Sequence, residues 1–342
     1  MKLPGRRWLI AGALFAALAG AVGTFALADV QRYVSASTRI EVQAAPIEHF
    51  DNRDPAQTRF GTLQFRGSLA LTSKNDAFGG ISALHMEPDG ARFLAVTDRG
   101  SWLRGRLLYR DARPVGVADV EMAPILGADG KALAARGWFD AESLTELDGF
   151  FYVGIERVEQ IMRFDIRRHG LKARGEAVPV PAEFKTFTRN KGLECLAGVP
   201  NPAPLAGRLI AVTERSLDEA GNLRAYLLEK GATERFSVKR GDDFEVSDCT
   251  VLLPGDLLLL ERSYSPARGV AIRIRRVPLA SIKRGALVDG EALIVADLAY
   301  QVDNMEGIAL HRDARGETVV TLVSDDNFSP LQRNLLLQFT LP

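Results

Sequence analysis

The sequence predicts an all-β fold, a β-propeller of four-stranded blades, on three observations. Past the first 28 residues no long stretch carries the apolar period of a helix, and short β-rich runs alternate with Gly, Asp and Pro. One pattern recurs five times. Its spacing suits one four-stranded blade, slightly longer than the ~40–50 residues of better-known propeller repeats.

The chain opens on a different signal. Lys2, Arg6 and Arg7 precede an uncharged apolar run from Trp8 to Ala28, with Ala26-Leu27-Ala28 as a small-x-small cleavage site. Residues 1–28 read as a signal peptide, or as an N-terminal anchor because the run is near bilayer-spanning length. Arg6-Arg7 before Trp8-Leu9-Ile10 also suits twin-arginine export. The expected location is periplasmic or secreted, with membrane attachment only through an uncleaved N-terminal segment. Residues 29–58 read as a polar lead-in and residues 59–342 as the propeller.

Composition fits an ordered globular chain, with 46% hydrophobic and 25% charged residues, enough for a full core. The 43 basic and 43 acidic residues cancel, so nucleic acid is not an expected partner. A monomer acting on a small molecule is expected.

Each repeat has a polar or acidic residue, a small and an apolar one, a turn, then an apolar strand ending in an acid, usually followed by Arg. The instances are Ser82-Ala83-Leu84 with Thr97-Asp98-Arg99, Glu142-Ser143-Leu144 with Glu156-Arg157, Glu194-Cys195-Leu196 with Glu214-Arg215, Asp248-Cys249-Thr250 with Glu261-Arg262, and Glu306-Gly307-Ile308 with Asp325-Asp326. Two further strand-like runs follow each hairpin. The fifth unit has one obvious strand left, Leu335–Thr340, so its missing strand is expected from the N-terminal side, at Leu63-Gln64-Phe65 and Leu69-Ala70-Leu71. Strands from both termini then close the ring and remove the open edge. Literal counting gives five blades; a sixth, degenerate blade is the alternative.

In a propeller the first strand of each blade lines the channel and the second returns antiparallel. The repeated acids and the Asp/Glu-Arg pairs therefore meet at one mouth. Glu142, Glu194, Asp248 and Glu306 are the expected catalytic and metal-ligating carboxylates, joined as a ligand by Asp325. Arg99, Arg157, Arg215, Arg262 and Lys191 are the expected substrate-binding cations. Crowded carboxylates repel, so protons, arginines or a bound cation must compensate. A divalent cation, calcium in the first instance, suits an oxygen-only ring. The alternative is that each acid only caps backbone groups and pairs with Arg of the next blade. Ser82 leaves one blade without its carboxylate.

Cys195 and Cys249 are placed by the repeat at equivalent positions of neighbouring inner strands. The expectation is two buried thiols, too far apart for the ~4.4–6.8 Å Cα separation of a disulfide. There is no Cys-x-x-Cys, and His49, His85, His169 and His311 are scattered, so zinc is not expected. Arg168-His169-Gly170 resembles part of the histidine acid phosphatase motif, but it lacks the terminal Pro and falls in a turn between the third and fourth strands of its unit. There is no Gly-x-Ser-x-Gly elbow and no phosphate-cradling loop.

Gly79-Gly80-Ile81-Ser82-Ala83-Leu84, Asp140-Ala141-Glu142-Ser143-Leu144, Asn190-Lys191-Gly192-Leu193-Glu194, Leu260-Glu261-Arg262-Ser263-Tyr264-Ser265-Pro266, Asn304-Met305-Glu306-Gly307-Ile308 and Ser324-Asp325-Asp326-Asn327-Phe328 resemble the bacterial phytase-like family, "esterase-like activity of phytase". The resemblance covers about residues 60–340. It implies hydrolysis of a phosphomonoester or simple ester. By analogy of architecture with calcium-dependent propeller phytases, Glu142, Glu194, Asp248 and Glu306 would hold the cation and activate water. A metal-dependent lactonase and a non-enzymatic ligand- or partner-binding propeller are the alternatives.

Overall fold

The protein is described by a computed structural model covering residues 33–187, 191–229 and 232–342. The signal or anchor segment 1–28 lies outside the described residues. Among these residues no helix is long and apolar enough to cross a membrane. Val34–Pro342 forms one compact unit.

Five antiparallel-dominated sheets form a ring, a five-bladed propeller. The inner strands are Ile81–Met86, Ala141–Leu147, Leu193–Gly198, Glu245–Leu252 and Met305–Arg312, each next to the following one around the channel. Blades one to three each draw four consecutive antiparallel strands from one stretch of chain, and in blade four Leu287–Val288, which pairs parallel with the outer strand of blade three, precedes the fourth strand Glu291–Asp297. Blade five takes three from the C-terminus and its fourth from Leu63–Thr72, which pairs antiparallel with Asn334–Leu341. The expected closure by both termini is present, and among the described residues no sixth blade interrupts the ring.

Outer edges are covered by short additional strands. Within the segment read as a lead-in, Thr38–Arg39 joins the outer strand of blade one and Gln43–Ile47 joins Leu63–Thr72 of blade five. Phe50 follows, fully buried, with its ring 4.9 Å from Phe60 and 5.1 Å from Phe339. These pairings occupy backbone groups that an open edge would leave free.

Alternation along each strand sends apolar side chains to both faces of each blade, and the core is correspondingly divided into clusters between neighbouring blades. Leu258, Ile272 and Ile274 of blade four meet Ile308, Leu322 and Phe339 of blade five, and comparable clusters fill the other gaps. Each buried Leu, Ile or Phe contributes about 1.5–3 kcal/mol.

Every inner strand carries a bulge at the same place. The register shifts between Ile81 and Ala83, Ala141 and Ser143, Leu193 and Cys195, Val246 and Asp248, and Met305 and Gly307. The extra residues are therefore Ser82, Glu142, Glu194, Ser247 and Glu306. A bulge re-aims one side chain without disturbing the rest of the strand.

This register corrects the fourth repeat by one residue: Ser247, not Asp248, is equivalent to Glu142, Glu194 and Glu306. Arg262, not Glu261, stands opposite them in the second strand, where the other blades have Asp98, Glu156, Glu214 and Asp325. The same slip overturns the expectation of two free thiols. Equivalent positions on neighbouring blades point the same way around the ring and do not meet. Cys249 is one residue out of phase with Cys195, and a one-residue shift turns a side chain to the opposite face. Cys195 and Cys249 thus face each other across the gap between blades three and four, with Cα atoms 5.2 Å apart, and form a disulfide.

Candidate functional site

The mouth is built by two residues per blade, the bulge and the residue closing strand two. A repeated backbone bond sets them side by side. The N–H groups of Asp98, Glu156, Glu214 and Asp325 donate to the carbonyls of Gly80, Asp140, Gly192 and Asn304, at 3.0, 2.8, 2.8 and 2.9 Å. Gly80 has φ +61°, and a Cβ there would collide with the Asp98 carboxylate. Gly192 lies against the Glu159 carboxyl, and its N–H donates to Glu156 Oε1 at 2.8 Å.

The closest grouping is Glu156, Glu194 and Glu214. All three are buried, and each offers a carboxylate oxygen within 4.8 Å of those of the others. Charges facing Glu194 come from Glu142, Glu214, Glu156 and Glu306, and those facing Glu142 come from Asp140, Glu306, Asp98 and Glu156. All of these are carboxylates, and Arg262 acts on Glu194 as well. Arg262 and Lys191 pair directly with acids of the mouth, while Arg157 and Arg99 act on Asp140 and Asp98. Arg262 Nη2 lies 3.2 Å from Glu214 Oε1 and its Nη1 lies 3.2 Å from Glu306 Oε1. Lys191 Nζ lies 2.9 Å from Glu214 Oε2. Asn304 bonds to Arg262 and donates from Nδ2 to Glu306 Oε1 at 2.9 Å.

The carboxylates outnumber these cations, and their acidity responds. Burial, reinforced by the neighbouring acids, pushes Glu142 and Glu194 well above the usual carboxylate range. Burial likewise raises Asp98, Asp140 and Glu214. Glu306 is pushed up to about 7 by burial, against the pull of Arg262. Burial also brings Glu156 to about 7, despite the Gly192 N–H, and Asp325 to about 7, despite the Asn327 N–H. One oxygen of Asp98 is buried without a hydrogen-bond partner among the described residues.

The predicted residues divide clearly. Glu142, Glu194, Glu306, Asp325, Arg262 and Lys191 meet at the mouth. Arg215 stands beside it, with Nε 2.9 Å from Glu245 Oε1. Arg99 stacks over the Phe328 ring and donates to the Asp76 carbonyl, and Arg157 lies 5.0 Å from the Phe139 ring. Asp248 is outside the mouth. It is buried between blades, with one oxygen accepting from Ile308 N–H at 2.8 Å. Its neighbour in the repeat, Glu261, is buried against Arg273 and Arg275, at 2.7 and 2.5 Å.

Sequence reasoning placed Glu156 and Glu214 outside the carboxylate ring and gave the roles there to the arginines that follow them. The signal was the acid closing strand two, which faces the bulge. Asp140 and Asn304 share a position two residues before the bulge, but that position holds Gly80, Gly192 and Glu245 in the other blades, so no residue type marks it.

A cavity of about 790 Å³ opens on this mouth over blades three to five, lined in part by Lys191, Glu214, Arg262 and Asn304. Chemically, the mouth is a buried oxygen-donor set with an adjoining cationic wall.

Among solved structures the chain is similar to "Structure of U3-55K", with 11% identity, TM-score 0.37 and coverage of 77% of this chain and 96% of that one. It is also similar to a chain of an S. cerevisiae assembly whose title names variants of dbp5 and gle1 together with nup159, IP6 and ADP, with 11% identity, TM-score 0.36 and coverage of 86% and 96%. No curated protein matches. The phytase-like family, esterase-like activity of phytase, matches over residues 76–328, which include all five inner strands and the whole mouth, and the chain belongs to that family.

Proposed function

We propose that the protein is an exported, metal-assisted hydrolase of a phosphomonoester or simple ester, acting at the carboxylate mouth. The observation that carries this reading is the trio Glu156, Glu194 and Glu214, whose oxygens converge within 4.8 Å while other carboxylates crowd Glu194. The donor set fits a hard divalent cation such as calcium: it is all oxygen, it is buried, and of its three acids only Glu214 is paired directly with cations, Arg262 and Lys191. Glu156, Glu194 and Glu214 would hold the ion, with Glu142 beside them. When bound, such an ion neutralises the carboxylates and polarises an ester oxygen.

The remaining roles belong to the chain itself. Lys191 and Arg215 attract and orient the anionic group next to the trio. Arg262 fixes Glu214 and Glu306 in place by ion pairing. Glu306, whose carboxyl burial pushes up in the ion-free protein, is the group to take a proton from attacking water and return it to the leaving oxygen. Asp248, between the blades, is given no part in the chemistry. The disulfide between blades three and four suits an oxidising compartment and so supports export, together with the pattern at residues 1–28.

Calcium titration of the purified chain, followed by thermal melting with and without chelator, tests the metal. A saturable rise in melting temperature is expected, as mass action requires, and Glu194→Gln should abolish it. An unchanged melting temperature would remove the metal from the reading. Turnover is then tested on phosphomonoesters, carboxylic esters and sugar lactones. Lactone turnover alone would select a lactonase, and a calcium shift without any turnover would select a binding protein.

A further inference from the structure

The cavity over the mouth has two unlike walls. On the blade-three side, a single carboxylate, Glu245, is shared by three cations: Arg215 at 2.9 Å, Arg240 at 3.5 Å and Lys191 at 3.7 Å. Arg240 also keeps its Nε buried without an acceptor among the described residues. Lys191 is also held by Glu214 at 2.9 Å, so the three cations meet two carboxylates and keep one positive charge in excess, and guanidinium groups favour phosphate or carboxylate oxygens.

Part of the rim is apolar. Tyr264, Leu298 and Leu331 line this cavity with exposures of 71%, 56% and 91%. They come from three separate segments: the end of a blade-four strand, the loop leaving blade four, and the loop before the last strand. Single exposed apolar side chains are ordinary, but several converging on one polar cavity mark a surface kept for a ligand. Glu214 lines the same cavity, touches Lys191 at 2.9 Å and belongs to the carboxylate trio.

Building on the proposed hydrolase reading, we propose that the ligand of this cavity is amphipathic: one anionic head joined to a flat or branched apolar body. The head sits on Lys191, Arg215 and Arg240, which places its ester bond next to Glu214. The body rests on Tyr264, Leu298 and Leu331. A compact polyanion such as inositol hexakisphosphate has no apolar surface for the rim, and its outer charges would face the mouth carboxylates.

Calorimetric binding to the full chain in calcium, using 1-naphthyl phosphate, glycerol 3-phosphate and inositol hexakisphosphate, tests this directly. The naphthyl compound is expected to bind about tenfold more tightly than glycerol 3-phosphate, as burial of one ring face warrants. The double substitution Tyr264→Ser and Leu331→Ser should remove that margin and leave glycerol 3-phosphate binding and the melting temperature unchanged, since both side chains are exposed. Equal binding of the two monoesters, tighter binding of the hexakisphosphate, equal weakening of both monoesters in the variant, or no binding at all would overturn the proposal. Binding is read without turnover, so a protein that shows the naphthyl preference but hydrolyses nothing would refute the hydrolase reading and leave this one standing.

Discussion

In blades one, two, three and five the bulge and the end of strand two hold Ser82 and Asp98, Glu142 and Glu156, Glu194 and Glu214, and Glu306 and Asp325. In blade four the same two backbone positions hold Ser247 and Arg262. Blade four does not lack acids. Its acids stand one residue out of phase, and both are turned away from the mouth. Asp248 caps Ile308 N–H across the gap to blade five, and Glu261 ties together Arg273 and Arg275. The backbone is the same and the residue types are nearly the same, yet the chemistry is opposite. A carboxylate on the bulge joins the crowded mouth acids, while one residue away Asp248 is capped by a backbone N–H with its other oxygen unpartnered among the described residues, and Glu261 is paired with two arginines. The displacement also brings Arg262 into the ring as a built-in cation.

The comparison is sharpest as a pH dependence. Burial raises the mouth carboxylates of the acid blades, with Glu156, Glu306 and Asp325 near 7. An acid whose folded pKa lies above its unfolded value favours the folded state at low pH, and that advantage is lost as pH rises through the folded pKa. The calcium-free chain should therefore lose stability from about pH 4.5 to pH 8, with Glu306 alone contributing on the order of 3 kcal/mol. Calcium should flatten the profile. Melting scans at pH 5, 6.5 and 8 with chelator check this, and stability that rises with pH would mean the mouth acids are already compensated.

Blade four supplies the contrasting case. Glu261→Ala leaves two guanidinium groups facing each other in a buried site, where Arg273 and Arg275 keep Asp242 and Asp289 at the edge, the carbonyls of Gly241 and Lys239, and the Phe244 ring, but lose the carboxylate between them. Removing one partner of a buried ionic cluster costs about 3–5 kcal/mol. Calcium should not restore it. Denaturant unfolding with and without calcium measures it, and recovery by calcium would place Glu261 with the mouth carboxylates after all.

The propeller, its five blades and the closing strand at Leu63–Thr72 were legible because strand periodicity and turn residues recur with each blade. The acids at Glu142, Glu194 and Glu306 were legible as members of the same repeat. The phase of blade four was not. Glu194-Cys195 and Asp248-Cys249 look like one motif, as do Glu214-Arg215 and Glu261-Arg262, and identity of residue type outweighed a one-residue offset. A bulge leaves no residue signature of its own, since Ser, Glu and Gly neighbours all accept it here. The cavity was equally hidden, because Tyr264, Leu298 and Leu331 come from segments that only the closed ring brings together.

The cysteine pair gives the smallest effect and the most direct check on that phase. If Cys195 and Cys249 occupied equivalent positions, their sulfurs would point the same way around the ring, and reduction would change nothing. In the structure they meet, and the bond closes a segment with a sequence separation of 54. A loop of that size restricts the unfolded chain enough to stabilise the fold by about 2–4 kcal/mol. Urea unfolding with and without reductant should differ by that amount, and Cys249→Ser should match the reduced protein in both conditions. Coincident oxidised and reduced curves would return both thiols to the buried, unpaired state.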